Sequence, residues 1–119
     1  MIKYNNATEL LTERMPEFAS PNFIPEFPTL AYAQFADFVL KQVSEENNTV
    51  IDRCADIINE LAATTDTEVM ALVDEFAITL FSNDAGDKKK FNIFREKLHA
   101  NSQQTFDEII SHWTKQHNT

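Results

Sequence analysis

Three acidic residues, Asp52, Asp56 and Glu60, recur every four positions in a segment with the pattern of an amphipathic helix. At about 3.6 residues per turn, this spacing places the three carboxylates on one stripe of the helix. The opposite stripe is apolar and consists of Val50, Cys54, Ile57, Ile58 and Leu61. Neighbouring like charges cost roughly 0.2–0.5 kcal/mol per pair. A row of one sign that is present despite this cost is what a binding site for a basic partner requires, because it attracts the partner and raises the rate of encounter. A solvated face without a function is the alternative interpretation.

The negative net charge of the whole chain also favours a basic partner. The net charge is −9, and it is unevenly distributed: residues 1–86 hold 15 acidic and four basic side chains, whereas residues 87–119 hold four acidic and six basic ones. A negative field of this size repels nucleic acid and anionic membranes, although acidity can also serve solubility alone. Further acidic candidates for a partner-binding surface are Glu45, Glu46, Asp74 and Glu75.

Apolar periodicity predicts an all-α chain. A single glycine in 119 residues argues against a β fold, whose tight turns need residues with positive φ. The periodicity predicts helices at about 7–15, 30–45, 50–63, 66–82, 88–99 and 102–116. The residues expected to open the first five are Asn6, Thr29, Thr49, Thr65 and Asp87. We expect one domain over residues 1–119, either a helical bundle or a short helical-repeat stack.

All four prolines of the chain lie in the segment 16–28, with the sequence PEFASPNFIPEFP. Their spacing forbids a regular helix. The interleaved aromatic residues argue against a flexible linker, because linkers are rarely this aromatic. We expect an ordered, extended strap whose rings pack on the helical body. The alternative is that Phe23 and Phe27 instead face a partner.

Catalytic and metal-binding patterns are missing from the sequence. The three histidines, His99, His112 and His117, do not form an HExxH motif, and no G-x-S-x-G or glycine-rich phosphate loop occurs. The loop SNDAGDKKKF lacks the spacing of an EF-hand. A contact between Glu108 and His112, four residues apart, is expected to be an ordinary helix-surface contact. We therefore expect no catalytic residues, no metal, no cofactor and no enzymatic activity.

Cysteine content and hydropathy predict a cytoplasmic protein. Cys54 is the only cysteine, so no disulfide forms within the chain, and its place on the apolar stripe predicts a buried thiol. The N-terminal residues lack the apolar run of a signal peptide, and no apolar stretch approaches the roughly 20 residues of a membrane span.

Four stretches resemble a family of small, all-helical bacterial domains of unknown function. They are ELLTERMPEF (9–18), FADFV (35–39), EVMALVDEFAITLF (68–81) and FDEIISHW (106–113). Members of this family are often encoded near polymorphic toxins and are considered immunity proteins. The resemblance supplies no catalytic residues. It implies a cytoplasmic protein that binds a cognate toxin and neutralises it.

Two functional hypotheses follow from these observations. The first is an immunity-type inhibitor that binds one basic protein through its acidic residues. The second is a structural or adaptor protein that docks a partner through the aromatic strap. The sequence leaves open whether the chain forms a homo-oligomer through Phe81, Phe91 and Phe94.

Overall fold

Six α-helices and one 3₁₀ turn make up most of the computed structural model, which describes residues 4–18 and 27–117. The 3₁₀ turn is Tyr4–Asn6, and the helices are α1 (Ala7–Arg14), α2 (Pro28–Ser44), α3 (Asn48–Ala62), α4 (Thr67–Asn83), α5 (Lys89–Glu96) and α6 (Ala100–His117). The described ranges contain no strand, so the predicted all-α fold is confirmed. No helix within them combines the length and the apolarity needed to cross a bilayer.

The helix α2 is the centre of the bundle. Its apolar residues surround much of its circumference, and Ala31, Phe35, Ala36 and Val39 are completely buried. Such a helix must be covered on several sides, and α2 does contact α1, α3, α4 and α5. Its most extensive contact is with α4, whose buried side includes Phe76. The helices are therefore arranged as a bundle around α2.

Phenylalanine rings connect the elements through the core. Ring centroids are 5.2 Å apart between Phe18 and Phe35, 5.4 Å between Phe35 and Phe76, and 5.5 Å between Phe76 and Phe94. Phe106 of α6 continues this chain at 6.5 Å from Phe94. Aromatic pairs at such separations contribute about 0.5–1.5 kcal/mol each beyond the area they bury. The same contacts fix α2, α4, α5 and α6 relative to one another.

The predicted strap overlaps α2 at its C-terminal end. Pro28, which we assigned to the strap, is the first residue of α2, and the predicted cap Thr29 lies inside the helix. The assignment was wrong because proline suits a first helical position: its φ is already helical, and its missing N–H has no partner there in any case. Residues 19–26 of the strap, including Phe23, lie outside the described residues.

Four other helix starts also differ from the prediction. Lys88 rather than the predicted Asp87 precedes α5, and α6 begins at Ala100 rather than at about 102. Asp66, rather than Thr65, caps α4, and its carboxylate accepts hydrogen bonds from the backbone N–H groups of Glu68 and Val69. The helix α3 begins at Asn48, so the predicted cap Thr49 lies within it. These differences concern one or two residues, which is the usual scatter of helix ends.

The turn between α4 and α5 is organised by Lys88. This residue has φ 63° and precedes the first residue of α5. Its Nζ donates hydrogen bonds of 2.8 Å to the carbonyl oxygens of Phe81 and Asp84, and it lies 4.6 Å from the centroid of the Phe81 ring. The ammonium group thereby satisfies a carbonyl at the C-terminal end of α4, where positive charge is favourable. Asp84 is buried, and its Oδ2 accepts from the N–H of Phe91 at 2.9 Å.

A buried hydrogen bond holds α1 against α2. The hydroxyl of Tyr32 donates to the carbonyl oxygen of Ala7 at 2.8 Å, and both residues are completely buried. Burial raises the pKa of Tyr32 far above its usual range, so the hydroxyl stays protonated and keeps donating. The position of the first turn of α1 therefore depends on this contact.

We expect Tyr32→Phe to lower the free energy of unfolding by about 1–2 kcal/mol, because it leaves the buried Ala7 carbonyl without its donor. The measurement is urea denaturation followed by circular dichroism. The control is Tyr4→Phe at the other tyrosine of the chain, which is partly buried against the core. That change should cost no more than about 0.5 kcal/mol. Equal losses in the two variants would show that the Tyr32 hydroxyl has no special role.

Candidate acidic binding face

The acidic row lies on α3 as predicted. Asp52, Asp56 and Glu60 are exposed, whereas the opposite side of the helix is buried in the core. Cys54 on that buried side is completely enclosed, and burial raises the pKa of its thiol to about 12. A thiol that stays protonated is a poor nucleophile and a poor metal ligand. The helix therefore presents carboxylates outward and anchors itself through apolar side chains.

Two carboxylates of the row have cationic partners from other parts of the fold. Lys97 Nζ lies 3.0 Å from Asp52 Oδ1, and Arg14 of α1 forms an ion pair with Glu60. Asp56, between them, makes no ion pair with any described residue. Exposed ion pairs are weak, typically about 0–1 kcal/mol, and salt screens them. The row is therefore partly neutralised, with Asp56 as its uncompensated charge.

Arg53 lies within the same helix but does not compensate the row. Its guanidinium forms an ion pair with Glu17, in the turn that follows α1. This contact lowers the pKa of Glu17, mainly through the hydrogen bond from Arg53. Arg53 Nη1 also lies 3.5 Å from the carbonyl oxygen of Arg14. Together with the Arg14–Glu60 pair, these contacts connect the C-terminal end of α1 to α3.

The helix α1 brings two more carboxylates next to the row. Glu9, Glu13 and Glu60 line a cavity of about 530 Å³ between α1 and the C-terminal end of α3. A neighbouring cavity of about 390 Å³ is lined by Asp56 and again by Glu60, together with Arg14 and His99. We call Glu9, Glu13, Asp56 and Glu60 the acidic face. The sequence predicted only its α3 half, because the approach of α1 to α3 is tertiary.

The other predicted acidic residues lie away from this face. Glu45 and Glu46 are exposed at the end of α2, where Glu46 has φ 56°. Asp74 and Glu75 are half-buried on α4. None of the four lines either cavity of the acidic face.

The aromatic candidates fall into separate environments. Phe18 is only 8% exposed and packs on α2, as expected for a strap pressed onto the helical body. Phe27, immediately before α2, is 62% exposed. Phe91 and Phe94 are buried, and the half-buried Phe81 packs edge-to-face on Phe91 at 5.1 Å. These last three rings are therefore engaged within the chain.

A second surface feature, which the sequence did not predict, is a groove of about 410 Å³ between α4 and α6. Its apolar floor consists of Met70, Ile78, Ile109 and Trp113, and its polar rim includes Asp74, Glu108, His112 and Gln116. We call it the α4–α6 groove. Burial raises the pKa of Asp74, and the charge of nearby His112 opposes that rise.

Glu108 and His112 each have another polar partner along α6. Glu108 accepts a hydrogen bond from Gln104, and Gln116 lies 3.1 Å from the ring Nε2 of His112. Within the described residues, no cluster of three or more His, Cys, Asp or Glu side chains has a geometry that would hold a metal ion.

The sequence matches no protein-family model, and neither a curated protein nor a solved structure is significantly similar to it. The resemblance to toxin-immunity domains therefore depends on the four quoted stretches alone. These stretches lie in α1 and the turn after it, in α2, in α4 and in α6.

We expect Asp74→Asn to stabilise the protein slightly at pH 7. Burial raises the folded-state pKa of Asp74, so its ionisation destabilises the fold as the pH rises through that pKa. The gain in the free energy of unfolding should be no more than about 0.5 kcal/mol. It should vanish at pH 3, below the ordinary aspartate pKa of about 3.9. Urea denaturation at both pH values measures the difference.

Asp107→Asn is the matched control, and it should change the free energy of unfolding in the opposite direction. Arg95 donates two hydrogen bonds of 2.8 and 2.7 Å to the Asp107 carboxylate, and this contact lowers the pKa of Asp107. The ion pair stabilises the fold above the ordinary aspartate pKa and is lost as the pH falls through the folded-state value. The control variant should therefore be less stable than the wild type at pH 7 and should approach it in acid. A loss of stability at pH 7 in Asp74→Asn would contradict the interpretation of the groove carboxylate.

Proposed function

We propose that this chain is a small, non-catalytic, acidic protein that binds one basic protein and acts as an immunity-type inhibitor of a toxin. The observation that carries the proposal is the convergence of carboxylates from two helices around one cavity of about 530 Å³. The resemblance to toxin-immunity domains supports the class of partner. Its sole cysteine, a buried thiol, suits a reducing compartment, so we place this function in the cytoplasm.

The acidic face suits a basic partner for electrostatic reasons. Its four carboxylates are exposed, and Arg14 is the cation paired with one of them. Nuclease toxins are typically basic because they bind phosphates, and carboxylates can occupy the place of the phosphate backbone. A potential of one sign also steers the encounter and raises the association rate, an effect that salt weakens.

The fold fixes the two helices that carry these carboxylates before a partner arrives. The helix α3 is anchored by its buried stripe, and α1 is fixed by the bond from Tyr32 to Ala7 and by the ion pair from Arg14 to Glu60. A preorganised site loses less conformational entropy on binding than a flexible one. The partner therefore meets two helices that are already in place, and only the exposed side chains remain to be ordered.

The test reverses two charges of the acidic face, in the variant Glu13→Lys with Asp56→Lys. Neither side chain forms an ion pair with a described residue, so the change leaves no cation without its partner. Asp52→Lys or Glu60→Lys would instead place two cations together. The tagged protein is incubated with lysate of its native cells at low salt and eluted with a salt step.

We expect the wild type to release a single basic protein in the salt step and the double variant to lose at least about tenfold in recovery, the equivalent of 1.4 kcal/mol. The control is Glu45→Lys with Glu68→Lys, which changes the net charge equally on exposed residues that form no ion pair with a described residue and line neither cavity of the acidic face. An equal loss of recovery in the control would show that binding depends on the overall charge and not on the acidic face. Full retention by the acidic-face variant would exclude this face as the site.

A second candidate function is an adaptor that docks a partner at the start of α2. The observation in its favour is the exposure of two large apolar side chains there, 62% for Phe27 and 43% for Leu30. Binding of this kind should tolerate salt and weaken on Phe27→Ala. Recovery of the partner that depends on salt but not on Phe27 would exclude the adaptor function.

A further inference from the structure

The α4–α6 groove has the dimensions and composition of a small-molecule site. Its volume of about 410 Å³ lies within the range of roughly 300–1,000 Å³ that such sites occupy. Met70, Ile78, Ile109 and Trp113 are only half-buried, so part of each apolar side chain is accessible in the groove. Ligand sites typically combine such a floor with a few polar groups that fix the orientation of the ligand.

The polar groups of the groove favour a cation. Asp74 and Glu108 are acidic, and Asp74 stands half-buried beside the apolar floor. No described Lys or Arg forms an ion pair with either carboxylate. The charge of His112 opposes the rise in the pKa of Asp74 that burial causes, and Lys115 lies with Glu108 on the outer side of α6. A carboxylate that has lost part of its hydration and forms no ion pair with a described Lys or Arg gains from an incoming positive charge, because that charge favours its ionised form.

The single tryptophan adds a second group that attracts cations. Trp113 lines the groove, and its indole is held by an edge-to-face contact with Phe81 at 6.1 Å. The electron-rich face of an indole attracts ammonium groups more strongly than other aromatic rings do. Apolar floor, carboxylate and indole therefore occur together in one groove.

We propose that the α4–α6 groove binds a small organic cation, an ammonium group attached to an apolar aryl or alkyl body. The ammonium group lies against Asp74, and the apolar body lies on Met70 and Trp113. This site is separate from the acidic face and does not depend on the proposed inhibitor function. Its binding chemistry also differs, because it needs apolar contact as well as charge.

The test uses the fluorescence of Trp113, the only tryptophan of the chain. The probes are 2-phenylethylammonium chloride and its neutral isostere 2-phenylethanol, titrated at constant ionic strength. The indole N–H signal in NMR spectra provides a second readout of the same residue. We expect a saturable change with the amine and at least about threefold weaker binding of the alcohol, as for a partly exposed ion pair.

The variant Asp74→Asn should weaken binding of the amine at least about threefold and leave binding of the alcohol within about twofold. The control Asp37→Asn, at an exposed carboxylate of α2, should change neither. Circular dichroism confirms that each variant is folded. Three results would overturn the proposal: no saturable change in either readout, equal affinities for amine and alcohol, or unchanged amine binding by Asp74→Asn. Tighter binding of the tripeptide Ac-Phe-Lys-Phe-NH₂ than of the amine would also overturn it, in favour of a protein segment.

Discussion

The contact between α2 and α4, centred on the rings of Phe35 and Phe76 with centroids 5.4 Å apart, determines the arrangement of the other helices. Because α2 is apolar around much of its circumference, it must be covered on several sides. The helices α1, α3 and α5 supply that cover. The acidic face is a consequence, since covering α2 brings α1 close to the C-terminal end of α3, where Arg14 meets Glu60.

The helices and the amphipathic character of α3 could be predicted from the sequence because both are local. Apolar periodicity identifies a buried stripe, and the row of Asp52, Asp56 and Glu60 follows from helical spacing alone. The contribution of Glu9 and Glu13 could not be predicted, because no local pattern specifies which helices become neighbours. For the same reason, the pairing of Arg53 with Glu17 instead of the row is visible only in the fold. Pro28 was misassigned because a proline marks a helix start as well as a break.

The α4–α6 groove shows what apolar periodicity cannot predict, namely how deeply a residue at the edge of an apolar stripe is buried. Met70 and Ile78 widen the apolar stripe of α4, and that width predicts a largely enclosed helix. In the fold, both residues are half-buried beside α6 and form part of an open floor. An apolar residue at the margin of a stripe can be buried in the core or can line an open groove. The position of the neighbouring helix determines which of the two occurs. The two surfaces therefore differ physically: the acidic face presents exposed charge, whereas the groove combines a half-buried carboxylate with apolar contact.

We expect the acidic face to attract basic proteins more strongly than the other acidic parts of the surface do. Titration of the ¹⁵N-labelled chain with hexalysine at low salt, followed by NMR, tests this directly. The largest amide shifts should occur at Glu9, Glu13 and Asp56, and they should decrease with added salt. Equal or larger shifts at Glu45 and Glu68, which are exposed at the end of α2 and in the first turn of α4, would exclude such a preference.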